Sequence, residues 1–156
     1  MALGAVTATI PVASKWQAGH ELTGYGYYNI GAAVAQNDTI TFTDIIPAGG
    51  VEIVDVIIDT PKIDTNATPT ALWIVGDSGD NDRFINDVSG GWDDETTRIR
   101  YGVNVASTSS GVIDTGVGYR YTGAASLIAK IDAAVATAAS SGFVALMVRY
   151  RCSGTV

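Results

Sequence analysis

The residues in this chain that could do chemistry are mostly acidic. Asp77-Ser78-Gly79-Asp80-Asn81-Asp82 places three carboxylates and an asparagine in six positions, a density of oxygen donors that could surround a hard cation such as calcium. The spacing departs from an EF-hand loop, which needs a glutamate at its twelfth place, where this chain has Val88. A turn capped by its own carboxylates, with Arg83 offsetting part of the charge, accounts for the same residues, and no metal is expected. Trp92-Asp93-Asp94-Glu95 adds three more acids. With Asp77, Asp80 and Asp82 they form the pool from which a glycosidase would draw two facing carboxyl groups, although acids in polar loops are ordinarily just solvated. His20 is the only histidine, and no G-x-S-x-G elbow or H-E-x-x-H helix accompanies it. Cys152 follows Arg149 and Arg151, which would lower its pKa, but it lacks a catalytic-cysteine signature and reads as inert. Gly24-Tyr25-Gly26 and Gly116-Val117-Gly118 lack the rest of a phosphate-binding loop. The expectation is a protein without catalysis and without a cofactor.

The aromatics say more. Trp16 with Tyr25, Tyr27 and Tyr28 offers large side chains of low conformational entropy with polar tips, a composition used by protein interfaces and by carbohydrate platforms. Tyr25 and Tyr27 share a parity, so a strand would put both on one face. Together with Pro11, which breaks the N-terminal segment, these residues form the predicted partner interface.

Nearly every element that must position these groups reads as a strand. Val6, Ala8 and Ile10 alternate with Thr7 and Thr9 from Ala5 to Val12, and Pro11 marks that piece as an edge strand or an arm. Further strands are expected at Glu21 to Ile30, Asp38 to Ile46, Val51 to Thr60 and Thr70 to Val75, each bounded by turn residues. One helical turn is predicted from Arg83 to Val88, where Asp80, Asn81 and Asp82 supply N-caps. Strand character resumes from Arg98 to Val105 and at Gly116 to Tyr121. Ser126 to Thr137 is rich in alanine, but Leu127, Ala129, Ile131, Ala133 and Val135 share one parity, which favours a strand over a helix. Ser140-Ser141-Gly142 is expected to close a hairpin onto Phe143 to Arg151, a strand covered on both faces.

Composition agrees. Among 156 residues, Val and Ile number 16 and 15 against 5 Leu, with 17 Thr, so the apolar content is mostly β-branched and suits pleated strands. One core fits this length; the expected architecture is an all-β, single-domain sandwich or jelly roll of about eight short antiparallel strands. Residues 1–16 are expected to form an N-terminal strand or arm, and residues 17–156 the sandwich. The net charge of −7, with 16% charged residues, offers no basic stripe for a phosphate backbone and argues against nucleic acid as a partner. No run suits a membrane helix and the start lacks the pattern of a signal peptide, so a soluble, untargeted protein is expected. The single cysteine excludes an intrachain disulfide.

Two blocks carry a resemblance. Asp64-Thr65-Asn66-Ala67-Thr68-Pro69-Thr70, the strand Ala71 to Val75 and Gly76-Asp77-Ser78-Gly79-Asp80-Asn81-Asp82-Arg83-Phe84 resemble a segment of small tailed-bacteriophage proteins encoded with the major capsid protein. The final strand, ending Ala145-Leu146-Met147-Val148-Arg149-Tyr150, is similar as well. These are regarded as capsid decoration, or cement, proteins. The likeness is detailed over about a third of the chain and looser beyond it. It implies a β-rich, jelly-roll protein, made in the host cytoplasm, that binds the outer surface of an expanded icosahedral capsid. There it would clamp neighbouring major capsid protein subunits as a symmetric homo-oligomer, a trimer being favoured over a dimer. No catalytic residue carries over. The alternative is a carbohydrate-binding sandwich in which Trp16, Trp73 or Trp92 stacks on sugar beside the tyrosines.

Overall fold

A computed structural model of the chain describes residues 3–7, 21–88, 99–101 and 118–152. Among them are ten strands and no helix: β1 (Ala5–Thr7), β2 (Glu21–Ile30), β3 (Thr39–Ile46), β4 (Val51–Thr60), β5 (Trp73–Gly76), β6 (Ile85–Val88), β7 (Ile99–Tyr101), β8 (Arg120–Tyr121), β9 (Ala125–Ile131) and β10 (Gly142–Cys152). They form two sheets, ordered β1-β3-β9-β5-β6 and β2-β10-β4-β7, with β8 also paired to β4. The pairing is nested: β2 runs against β10, β3 against β9, β4 against β7 and β5 against β6. The chain is thus one long hairpin whose arms alternate between the sheets. The protein is an all-β sandwich.

One apolar cluster fills the space between the sheets. Phe42, Leu127, Ala129, Ile131, Trp73, Val75 and Ile85 enter it from one side; Ile53, Val56, Ile58, Val144, Leu146, Val148 and Tyr150 enter from the other. On β4 the buried parity changes, from Val51 and Ile53 to Val56, Ile58 and Thr60. Opposite this change, the pairing with β10 slips between Arg149 and Tyr150, a bulge that adds one residue and so turns the next side chains to the other face. Gly24 lets the sheets approach at β2, because a Cβ there would lie 2.6 Å from the carbonyl oxygen of Ile45.

Three sequence expectations change. All pairs are antiparallel except β1, which runs parallel to β3 at the sheet edge. Its first turn is held by Asp38, whose carboxylate accepts the N–H groups of Leu3 (3.1 Å) and Gly4 (2.7 Å). Residues 8–12 of the predicted segment lie outside the described residues. The predicted helical turn is instead β6, because Phe84 and Ile85 are both fully buried and the Phe84 N–H donates to the Val75 carbonyl, folding the segment back as a hairpin. The chain can reverse there because position 76 is glycine: a Cβ would sit 2.1 Å from the Asp80 carbonyl oxygen. Gly76→Ala is accordingly expected to cost about 2 kcal/mol, read as a lower urea midpoint at unchanged m-value.

The third change concerns the end of the chain. Ser140-Ser141-Gly142 closes no hairpin, because β9 and β10 lie in different sheets. The intervening segment is a crossover whose backbone bonds go elsewhere: Asp132 N–H to Leu72 O, Thr65 N–H to Thr137 O and Ala139 N–H to Ile63 O. Its anchor is Asp64, fully buried. Asp64 Oδ2 accepts the N–H groups of Thr70 (2.9 Å), Ala71 (3.3 Å) and Ala136 (2.9 Å), and Oδ1 those of Asn66 (3.2 Å) and Thr137 (2.9 Å). Burial alone would raise its pKa; the N–H groups of Thr70, Ala136, Thr137 and Asn66 outweigh that and hold it at about 2.

Candidate interaction surface

The strand period places alternate residues of β2 on the outside of its sheet. Thr23, Tyr25, Tyr27 and Asn29 face outward, whereas Gly24, Gly26 and Ile30 are buried and Tyr28 packs against the core. Register then extends this outer face across three strands. Thr23, Arg149 and Asp55 form one row, Tyr25, Met147 and Ile57 the next, and Tyr27, Ala145 and Asp59 the third. Tyr25 and Tyr27 are 42% and 40% exposed, and are the large hydrophobic side chains that stand out among the described residues. Their rings lie 6.4 Å apart.

Charges border this aromatic centre at one end. Glu21 accepts hydrogen bonds from Arg149 and from Arg151 (2.8 Å), and Arg149 also reaches Asp55 at 3.8 Å. The Arg151 and Arg149 hydrogen bonds hold the Glu21 carboxyl below the usual carboxylate range. Arg120 on β8 pairs with Glu52 at 2.8 Å. An apolar centre of Tyr, Met and Ile with a charge-paired border has the composition that protein contact surfaces use.

Of the five predicted interface residues, the structure brings together Tyr25 and Tyr27. Tyr28, one position on, turns to the opposite side of the sheet. Pro11 and Trp16 lie outside the described residues, as do His20 and Trp92 to Glu95. Sequence reasoning missed Met147 and Ile57, because strand parity shows which residues share a face but not which strands are neighbours. The tryptophan platform of the carbohydrate alternative is corrected at Trp73, which is fully buried in the core and cannot stack on a ligand. At Cys152 the direction of the pKa differs from the one the neighbouring arginines suggest: Arg149 and Arg151 are occupied by Glu21, and burial pushes the thiol up, in keeping with an inert cysteine.

The acidic loop forms the capped turn. Asp77 Oδ1 accepts the N–H groups of Gly79 (2.8 Å) and Asp80 (3.0 Å), while Oδ2 accepts Arg83 Nε–H (2.9 Å) and the Tyr121 hydroxyl (2.5 Å). Burial works against its ionisation, but the Tyr121 and Arg83 bonds prevail and lower its pKa. Tyr121 shifts strongly upward, through burial and through its bond to that carboxylate. The Arg83 guanidinium lies 3.9 Å from the centre of the Tyr119 ring, a cation–π contact.

The protein is thus an all-β sandwich whose β2–β10–β4 sheet carries an exposed tyrosine pair on its outer face. No protein-family model and no curated protein matches the chain. Its fold is similar to that of a chain in the cyanophage Pam1 capsid asymmetric unit, at 22% identity over 92% of this chain and 93% of that one, with a TM-score of 0.66. It is also similar to a chain in the capsid of Ralstonia phage GP4, at 21% identity over 94% and 92% of the two chains, with a TM-score of 0.55. At these identities the likeness is one of fold.

Proposed function

We propose that this chain is a structural protein of a phage virion, acting without catalysis. It binds the outer surface of an icosahedral capsid as a homo-oligomer, a trimer before a dimer, and stabilises the shell by clamping neighbouring major capsid protein subunits. The observation that carries this reading is the fold match, end to end, to a chain of the Pam1 capsid asymmetric unit. The decoration-protein resemblance of residues 64–84 and of the last strand supports it independently. The nested strand pairing supports reading the sandwich as a jelly roll, and the aromatic face of β2, β10 and β4 supplies a contact surface.

Such a clamp works by mass action. Many copies bind the assembled lattice and not its dissociated subunits, so the assembled state gains free energy with each copy bound. Symmetric placement on a repeating shell supplies multivalency.

The purified protein is expected to co-sediment with expanded capsids of the phage that encodes it, to stay in the supernatant with unassembled capsid subunits, and to raise the temperature at which the shell releases its DNA. A protein that ignores expanded capsids would sink the proposal.

A further inference from the structure

A concave site lies at the end of the sandwich away from the Asp64 crossover, separate from the tyrosine face. Its volume is about 610 Å³, within the roughly 300–1,000 Å³ range of ligand clefts. It is lined by Thr41 of β3, Ser126 and Ile128 of β9, Ser78, Gly79 and Arg83 of the loop after β5, and Tyr119 and Tyr121, with the Arg83 guanidinium lying over the Tyr119 ring at 3.9 Å. The two sheets meet here, because β8 belongs to the β4 sheet while Asp77 to Arg83 joins β5 to β6 in the other.

Three features restrict what this cleft can hold. The charged side chains in its lining are Asp77 and Arg83, and they are bonded to each other at 2.9 Å. The site is therefore neutral overall, and a charged ligand would have to compete for one member of a partly buried ion pair. The wall is aromatic: Tyr119 and Tyr121 meet edge to face at 4.9 Å, and Phe84 backs both rings at 6.5 Å. Hydroxyls line the rest, on Thr41, Ser78 and Ser126, and each can both donate and accept. Ser126 Oγ accepts the Asp44 N–H, which leaves its proton to donate elsewhere. The Tyr121 hydroxyl is committed to Asp77, so that ring offers its apolar surface.

An uncharged ligand with apolar ring faces and many hydroxyls answers all three. The geometry points to a binding cleft for a neutral saccharide, stacked on the Tyr121 ring and hydrogen-bonded to Thr41, Ser78 and Ser126. This site is independent of the capsid reading and of the tryptophan platform considered from sequence.

The test is saturation-transfer NMR with neutral gluco- and galacto-oligosaccharides, and with sialylated and sulfated glycans and inorganic phosphate as charged probes. Neutral saccharides are expected to bind. Ala124→Trp, which fills the cleft from an exposed position, is expected to weaken them more than about tenfold. Thr41→Val, which removes one hydroxyl at nearly constant shape, is expected to weaken them about fivefold. Both variants are expected to unfold at the wild-type urea midpoint and to sediment with capsids as the wild type does, so the two readings fail separately. Absence of binding by every neutral saccharide, preference for a charged probe, or binding indifferent to both substitutions would overturn the assignment. So would loss of capsid sedimentation in Ala124→Trp, which would give the cleft to the capsid.

Discussion

Tyr25→Asp combined with Tyr27→Asp is expected to remove the protein from sedimenting capsids while leaving it folded. Large aromatic residues at the centre of an interface commonly cost about 2 kcal/mol or more each when lost. Here each is also replaced by a carboxylate that would have to be desolvated on docking. Together the changes are expected to weaken capsid binding at least about a hundredfold. Because both side chains lie on the outer face and not in the core, the domain should stay folded, with a loss of about 1–2 kcal/mol from the weaker strand preference of Asp. Thr43→Asp, at an exposed position on the other sheet, is the matched control and should bind as the wild type does. Retention of full capsid binding by the double variant would show that contact is made by another surface.

Asp64→Ala is expected to be the most destabilising single change in the described part of the chain. It leaves the five N–H groups of Asn66, Thr70, Ala71, Ala136 and Thr137 without their acceptor at a fully buried point. Unsatisfied buried donors cost about 1–3 kcal/mol each, reduced where water can reach them, so a loss of about 4 kcal/mol is expected. That is a large part of the roughly 5–15 kcal/mol available to a domain.

The same carboxylate sets an acid limit. Its folded pKa of about 2 lies below its ordinary 3.8, so its contribution is complete above the ordinary value and is lost as pH falls from there toward 2. The linked free energy is about 2 kcal/mol. Urea titrations across that window should show wild type losing its advantage over Asp64→Asn step by step; parallel pH profiles for the two proteins would rule the carboxylate out as the cause.

Much of the strand content was legible because period-two patterning is a direct consequence of pleating. β2 and β4 begin and end where the sequence placed them, at Glu21–Ile30 from its tyrosine–glycine run and at Val51–Thr60 from its central apolar block. Parity also decided correctly against a helix at Leu127, Ala129 and Ile131, all buried in β9. It overran beyond Ile131, where small residues keep the alternation but the backbone is drawn into the Asp64 crossover. The helical expectation after Asp82 failed for a related reason. Capping residues announce a turn without fixing the conformation of the next element, and the need to bury Phe84 and Ile85 selected a hairpin.

Of the candidate surface, sequence supplied Tyr25 and Tyr27 through their shared parity. It could not supply Met147, Ile57 or the Glu21–Arg149–Arg151 border, whose members lie far apart along the chain. Asp64 looked like an ordinary loop acid, whereas Asp77 was already legible as a turn cap beside Arg83. Only the tertiary structure supplies the five backbone N–H groups around Asp64 and the Tyr121 hydroxyl on Asp77.

The chain's β-branched, short-range alternation by itself determined that it would fold as strands and, where the alternation is clear, which side would be apolar; β10, expected to be covered on both faces, leaves Met147 and Arg149 partly exposed. That information is local, because a pleat repeats every two residues. Which strands became neighbours, and hence which side chains met on the outer face, in the Asp64 crossover and around the cleft, was decided by tertiary structure. Those partners are brought together by packing two sheets around one core, and many apolar strands of equal period could pair before that packing selects one order.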